Sequence, residues 1–384
     1  MLLNPVSRAV QEAAHSGIRE IGNQALRTPG AIRLEVGQPN FPTPDHIVAA
    51  AKRAMDEGWT GYTATAGLLS LRERISAKLS RVNGIDSDPE TEITIGPGGV
   101  GAIAAVMAAL VEPGDEVLLP DPGWPNYRLM TVWTGTTPVY YPCSAERGFE
   151  PEPEQVGALV GPRTRVLMVN SPNNPTGAVY RAEVQRALLD IAERHGLWVI
   201  SDECYDELVF DGTFTSLATL TQSDRVISGY TFSKSYSMTG WRIGYAVGPA
   251  NVIDGAVKIL ESNSSCVSTI SQKAAEAALD GPQACVAEMR DAYRRRRDLA
   301  CAQLGELGLL LARPSGAFYV MADVSAAGAD SRDFAFRLLE EQRVAVAPGT
   351  AFGEIPARAV RISLASSDED LAEGIARLAT ALGR

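Results

Sequence analysis

Short uninterrupted apolar runs, each separated from the next by a helix-length segment, constrain this chain more than any other feature. Glu92–Ile95 reads as a strand, Val100–Leu110 as a helix and Glu116–Leu119 as a strand again. Val166–Asn170 is an apolar run ending in turn residues, and Val184–His195 is an amphipathic helix stopped by Gly196. Leu197–Ile200, capped by Ser201-Asp202, then Val226–Tyr230 and Ile243–Val247, complete the series. Strands apolar on both faces with helices between them predict an α/β fold, a mostly parallel sheet covered by helices. Ligands bind such sheets beyond the carboxyl ends of the strands. Asn170, Asp202 and the residues after Tyr230 all stand there.

The flanks read differently. Residues before about 45 are rich in Pro and Gly and read as loop. From about 285 a long charged helix is followed by the strands Ala317–Met321 and Arg358–Leu364 and a closing helix. These predict a smaller α+β domain at 285–384, joined by an N-terminal arm at 1–44, around a large domain at 45–284. The run Arg294–Arg297 reads as a solvated face of the long helix.

Composition removes several function classes. Thirty-five Lys and Arg against 46 Asp and Glu give a net charge of −11. That disfavours nucleic acid and anionic lipid as partners. A multi-histidine metal site would have to use nearly all of the three histidines, His15, His46 and His195, and so few argue against a histidine base. The five cysteines are scattered without a CxxC pair, as expected of reduced thiols. Met1-Leu2-Leu3 is interrupted by Asn4-Pro5 and has no apolar h-region after it, and Val100–Val111 falls short of the ~20 residues of a membrane span. The expected location is the cytoplasm.

Gly96-Pro97-Gly98-Gly99-Val100-Gly101 matches GxGxxG after a strand and before a helix, and Asp121 ends the next strand. That is the context of a dinucleotide fingerprint, so a nicotinamide-dependent dehydrogenase is a rival reading. About ninety residues precede the motif, and Asp121 lies in the rigid turn Asp121-Pro122-Gly123-Trp124-Pro125. Under either reading, N–H groups at a helix start favour a phosphate.

Four further segments follow strand ends: Asn173–Gly177, Ser201–Tyr205, Thr231–Ser235 and Gly240–Tyr245. Each alone is explicable as a turn, a helix cap or a surface charge. Together they bring a lysine amine, a carboxylate, a phenol, an amide, hydroxyls and a guanidinium. That inventory suits pyridoxal 5'-phosphate, whose aldehyde condenses with lysine and whose ring nitrogen takes an acidic partner.

SPNNPTG, SDECYDELVFDG and FSKSYSMTGWRIGY together resemble the class I/II aminotransferases of fold type I, over about Leu34–Leu364. The resemblance implies that Lys234 is the Schiff-base lysine, that Asp202 pairs with the ring nitrogen, and that Tyr205 and Asn174 hydrogen-bond the phenolic oxygen. It places Trp124 on the ring, and Gly99, Val100, Thr231, Ser233 and Arg242 around the phosphate. Tyr62 resembles the tyrosine that reaches the phosphate from the other subunit of a homodimer. Arg361 would hold the substrate α-carboxylate, and Gly37 would sit over the substrate. Lysine then serves in turn as nucleophile and as proton carrier, which explains a histidine-poor enzyme.

The implied activity is amino transfer between an α-amino acid and a 2-oxo acid. Other reactions of the same cofactor, such as β-elimination, cyclisation or oxidation, share these residues. A cofactor-binding regulator would need a fused DNA-binding segment, and no basic segment is visible. Some relatives specific for aspartate carry a lysine where this chain has Val100. Neither Gly37–Asn40 nor Trp124–Tyr127 brings a cation, so a neutral or aromatic donor is expected, unless Arg19, Arg27 or Arg33 reaches the pocket.

Overall fold

The structure is a computed structural model describing Gln11, Ala13, residues 16–328 and residues 330–384. His15 and the segment Met1–Pro5 lie outside the described residues.

The apolar runs form one seven-stranded sheet in the order β2-β8-β7-β6-β5-β3-β4. Its strands are β2 (Ile93–Gly96), β3 (Glu116–Asp121), β4 (Thr137–Pro142), β5 (Thr164–Asn170), β6 (Trp198–Asp202), β7 (Val226–Thr231) and β8 (Gly244–Val247). Neighbours pair parallel throughout β4-β3-β5-β6-β7, whereas β8 runs antiparallel to both β2 and β7. Helices cover both faces: the helix Ala182–His195 joins the core around Leu167 and Val199, and the helix Gly98–Leu110 joins that around Met168 and Ile200. The mostly parallel, helix-covered sheet is as expected. β4 was not foreseen, because Pro138 and Pro142 disguise a strand on the sheet edge, where a missing N–H costs little.

A second sheet, β11-β12-β9, is antiparallel and built from β9 (Tyr319–Asp323), β11 (Ala347–Pro348) and β12 (Ala359–Ser363). The stretch before residue 45 is not all loop. It holds a helix, Gly17–Leu26, and β1 (Ile32–Arg33), which pairs parallel with β10 (Val344–Ala345). Two glycines and the lack of a side-chain cap hide that helix locally. Ile21, Ala25 and Leu34 stabilise it by entering the core formed with Tyr293, Phe318, Phe334 and Ile362.

The arginine run also differs from expectation. On the helix Ala284–Glu306, Arg297 is 1% exposed and Arg296 9%. Successive residues are ~100° apart on a helix, so four in a row cannot share one solvated face. Arg296 pairs with Asp368 and Asn40, and Arg297 with Asp211, Asp298 and the Pro314 carbonyl.

Candidate active site

β5, β6 and β7 lie side by side, so their carboxyl ends open on one edge, with Asn170 opposite Asp202 and Asp202 opposite Gly229. A cavity of about 480 Å³ stands over that edge. Lys234, Asp202, Tyr205, Asn174, Arg361, Gly37 and Trp124 all line it.

Asp202 is 4% exposed. Its Oδ2 accepts from the Tyr127 hydroxyl at 2.5 Å and its Oδ1 from the Cys204 N–H at 3.1 Å. Burial pushes the carboxyl up, while those hydrogen bonds and the nearby Lys234 pull it back, with burial prevailing. A buried carboxylate with a free lone pair wants a cationic N–H partner in the cavity.

Lys234 sits on the single turn Phe232–Ser235, capped by Thr231 Oγ1 accepting from the Ser233 N–H. Its Nζ donates to the Gly37 carbonyl at 2.7 Å. Burial lowers its pKa to about 8, aided by Arg361 and Arg242 and opposed by Cys204 and Asp202. At neutral pH such an amine carries about 10% free base, against well below 0.1% for an ordinary lysine.

At one end of the cavity the helix Gly98–Leu110 begins without a side-chain cap, leaving its first N–H groups unsatisfied by side chains. Gly99 and Val100 line the cavity there, with Thr231, Ser233 and Arg242. Space is tight: a Cβ on Gly98 would lie 2.4 Å from Arg242 Nη2, and one on Gly99 2.9 Å from Cys204 Sγ. Arg242 adopts φ +53, unusual for a non-glycine residue, and its guanidinium donates to the Thr239 and Pro97 carbonyls. Bare backbone donors, two hydroxyls and a guanidinium fit one phosphate group.

At the opposite end Arg361, on β12, is 1% exposed. Nη1 donates to Asn174 Oδ1 at 2.9 Å and Nη2 to the Glu35 carbonyl at 2.6 Å, while Nε has no partner among the described residues. The guanidinium lies over the Tyr319 ring at 4.2 Å and the Phe352 ring at 4.9 Å. Burial lowers its pKa, but arginine stays charged. A buried, incompletely paired guanidinium facing a cavity suits a carboxylate. The Tyr205 and Tyr319 hydroxyls are 2.9 Å apart, and burial holds the Tyr205 phenol well above its usual pKa. The donor set thus fits a phosphorylated, hydroxylated pyridine between two cationic ends, the group the sequence resemblance implies.

The sequence reading counted Tyr127 in a segment lining the site but gave it no role, and it missed Tyr319. Tyr127 is three residues after Trp124 in the first turn of the helix Pro125–Thr134, and the i, i+3 spacing in DPGWPNY was the available signal. Tyr319 was hidden in an apolar strand that reads as core. Tyr62 does not line this cavity and is 91% exposed. Arg19 and Arg33 do line it, so cations reach the pocket from the N-terminal arm; Arg27 does not.

Asp121 has another task than the fingerprint suggests. Its carboxylate accepts from the Glu354 and Ile355 N–H groups, and a Cβ on Gly353 would fall 1.9 Å from it. It clamps the loop that carries Phe352 to Arg361.

A profile of the family described as "Aminotransferase class I and II" matches residues 29–378. The probable aspartate/prephenate aminotransferase of Thermus aquaticus is 41% identical over 362 residues, 93% of each chain. Aromatic-amino-acid aminotransferase 2 of Thermococcus litoralis is 38% identical, over 94% of each chain. The solved structure of Thermus thermophilus aspartate aminotransferase with maleate superposes with a TM-score of 0.94 at 39% identity, covering 99% of this chain and all of that one. Fold, cavity and these likenesses agree: the chain belongs to the class I and II aminotransferases, enzymes dependent on pyridoxal 5'-phosphate.

Proposed function

We propose that this cavity carries amino transfer between an α-amino acid and a 2-oxo acid, with Lys234, Asp202 and Arg361 as its working residues. The observation that carries the reading is the presence, in one cavity, of an amine lowered to about 8, a buried carboxylate and a buried unsatisfied guanidinium. When bound, the cofactor supplies an electron-poor ring that takes up charge developing on the substrate Cα. Gly99, Val100, Thr231, Ser233 and Arg242 would hold its phosphate, Trp124 its ring, and Asn174 and Tyr205 its phenolic oxygen. Asp202, fixed by Tyr127 and Cys204, would hold a proton on the ring nitrogen. Lys234 Nζ takes the proton from Cα and returns one on the other side of the reaction. Arg361 binds the α-carboxylate through its two-pronged fork, held in plane by Asn174 and Glu35.

Tyr62, wholly outside its own cavity, is proposed to complete the partner's phosphate site in a homodimer acting in the cytoplasm. None of the helices of the described residues is long and apolar enough to cross a membrane. We also propose the division into a large domain at 45–284 and a small one made of 285–384 with the arm 1–44. The shared core of Ile21 and Leu34 with Ile362 supports it.

For the donor side chain, a neutral or aromatic group is supported by apolar Val100 and by Arg33, whose guanidinium is taken up by Glu35 Oε1. A second reading, an acidic donor, is favoured by Arg19, which lines the cavity with no side-chain partner among the described residues. Borohydride reduction and peptide mapping test the first claim: label on any lysine other than Lys234 removes it. A kcat/KM panel of aspartate, glutamate, alanine, phenylalanine and kynurenine, repeated with Arg19→Ala, decides the second. An acidic donor preferred tenfold, ~1.4 kcal/mol, and lost in the variant, establishes Arg19 as the distal cation.

A further inference from the structure

Behind the cavity, outside its lining, lies a buried ammonium that the reaction does not use. Lys78, at the end of the helix Leu69–Lys78, is 5% exposed. Its Nζ donates to Asp206 Oδ2 at 2.5 Å and to Asn83 Oδ1 at 2.8 Å, and Asn83 Nδ2 donates to the same Asp206 oxygen at 3.0 Å. Three buried side chains thus close a triangle.

The backbone is shaped to make it. Residues five apart on an α-helix point ~140° away from each other. After Lys78 the chain instead makes one π-helical turn, Leu79–Asn83, ended by left-handed Gly84 at φ +71. The wider turn brings Asn83 back toward Lys78. Such turns are rare and recur at functional sites.

The triangle abuts two active-site segments. Asp206 directly follows Tyr205. Glu207 interacts with both Lys78 and Ser235, the residue after Lys234. The Tyr230 ring lies 5.2 Å from the ammonium and stacks on Tyr245. Burial works against the Lys78 charge, but Asp206, Tyr245 and Glu207 outweigh it and raise its pKa. The titratable groups facing the ammonium are therefore Asp206, Glu207, Tyr230, Tyr236 and Tyr245, with Arg290 beyond Glu207. A buried ion pair generally contributes little more stability than apolar side chains of the same volume, so stability alone does not account for it. What it supplies is a fixed position for the chain directly after Tyr205 and, through Glu207 and Ser235, a link to the turn that carries Lys234.

We propose that Lys78, Asn83 and Asp206 are positioning residues that set the Tyr205 hydroxyl and the Lys234 amine. The proposal rests on the assignment of Lys234 as the cofactor-bearing residue. The test uses the holoenzyme and Asp206→Asn, which keeps the shape and removes the nearest counter-charge of Lys78, leaving only Glu207. The pH midpoint of the bound cofactor's visible band is expected to fall by about half a unit or more, since less compensated positive charge disfavours a nearby proton. With it, kcat falls about tenfold while the donor KM stays within about threefold. Asp206→Glu, restoring the charge, returns both toward wild type. A wild-type band midpoint and kcat in Asp206→Asn, with only thermal stability lowered, overturns the proposal. Should Asp206→Asn not retain cofactor, Asn83→Ala keeps the ion pair and removes the amide leg. Displacement of its midpoint and kcat together supports the proposal, and displacement of neither overturns it. Borohydride trapping on each variant separates the two claims: label away from Lys234 refutes the assignment of that lysine, whatever the triangle does.

Discussion

Replacing Lys234 with Met in the cofactor-free protein should change how stability depends on pH. Burial brings the amine from the ordinary 10.5 down to about 8. At ~1.4 kcal/mol per pH unit, that difference amounts to about 3 kcal/mol. The sign follows from where the proton sits. Below pH 8 the lysine is charged in both folded and unfolded chains, and the folded protein bears the whole penalty. Between 8 and 10.5 the unfolded chain binds more protons than the folded one, so stability rises with pH. Above 10.5 both forms are neutral and the penalty is gone. Met has no such group, so wild type should gain about 3 kcal/mol on the variant from pH 8 to 10.5 and hold a constant difference below 8. Met also loses the 2.7 Å hydrogen bond to the Gly37 carbonyl. A neutral amine still donates, so that loss of about 1 kcal/mol shifts the whole curve without altering its slope. Urea unfolding of both proteins at half-unit steps from pH 7 to 11 reads the difference. Parallel stability curves across that range would show that Lys234 titrates normally and that its nucleophilicity has another origin.

Asp202→Ala should lower turnover by ~10²-fold or more, read in single-turnover kinetics, because the proton on the ring nitrogen loses its counter-charge; an unchanged rate makes Asp202 a cap of the turn at Cys204 only. Tyr127→Phe removes the 2.5 Å hydrogen bond to Asp202 and should cost about tenfold in kcat, with donor KM little altered; equal kcat would show the bond to be incidental. Gly98→Ala, whose Cβ would meet Arg242 Nη2 at 2.4 Å, at a position with φ +79, should weaken cofactor binding by about tenfold or more in an absorbance titration. Mixing Tyr62→Ala protomers with Lys234→Ala protomers should restore activity in hybrid dimers, because the cavity with intact Lys234 and Arg242 then faces an intact Tyr62; verified heterodimers no more active than the parents refute a shared site.

What the sequence disclosed and what it hid divide along a physical line. Buried parallel strands are locally determined, so β5, β6 and β7 were legible, and with them Asn170, Asp202 and Thr231 at the strand ends. The phosphate end was legible too, because a helix start after a strand is a local feature. Contacts across hundreds of residues were not. The Arg361 guanidinium meets Asn174 and Glu35, 187 and 326 positions away, and no periodicity announces such a meeting. Asp121 has the spacing of a ribose-binding acid yet spends its lone pairs on the loop at 353–355, a pairing that only the tertiary fold creates. The burial of Arg296 and Arg297 was hidden for the same reason: apart from Asp298 beside Arg297, their partners are remote or lie off the helix.

The pairing of β1 with β10 joins Ile32 to Val344, so the arm finds its place only after a partner strand 312 positions later has been made. At ~5–20 residues per second of synthesis, about 15 to 60 seconds separate the emergence of the two strands. During that interval Ile21, Ala25 and Leu34 have no core to enter, because its other walls are later in the chain. The segment carrying Gly37 depends on the same event, so a nascent chain that already holds the phosphate end is still open over Lys234. Maturation of this enzyme is therefore a closing of the segment 17–34 onto a core made about 300 positions later, with the apolar side chains of that segment exposed in the meantime.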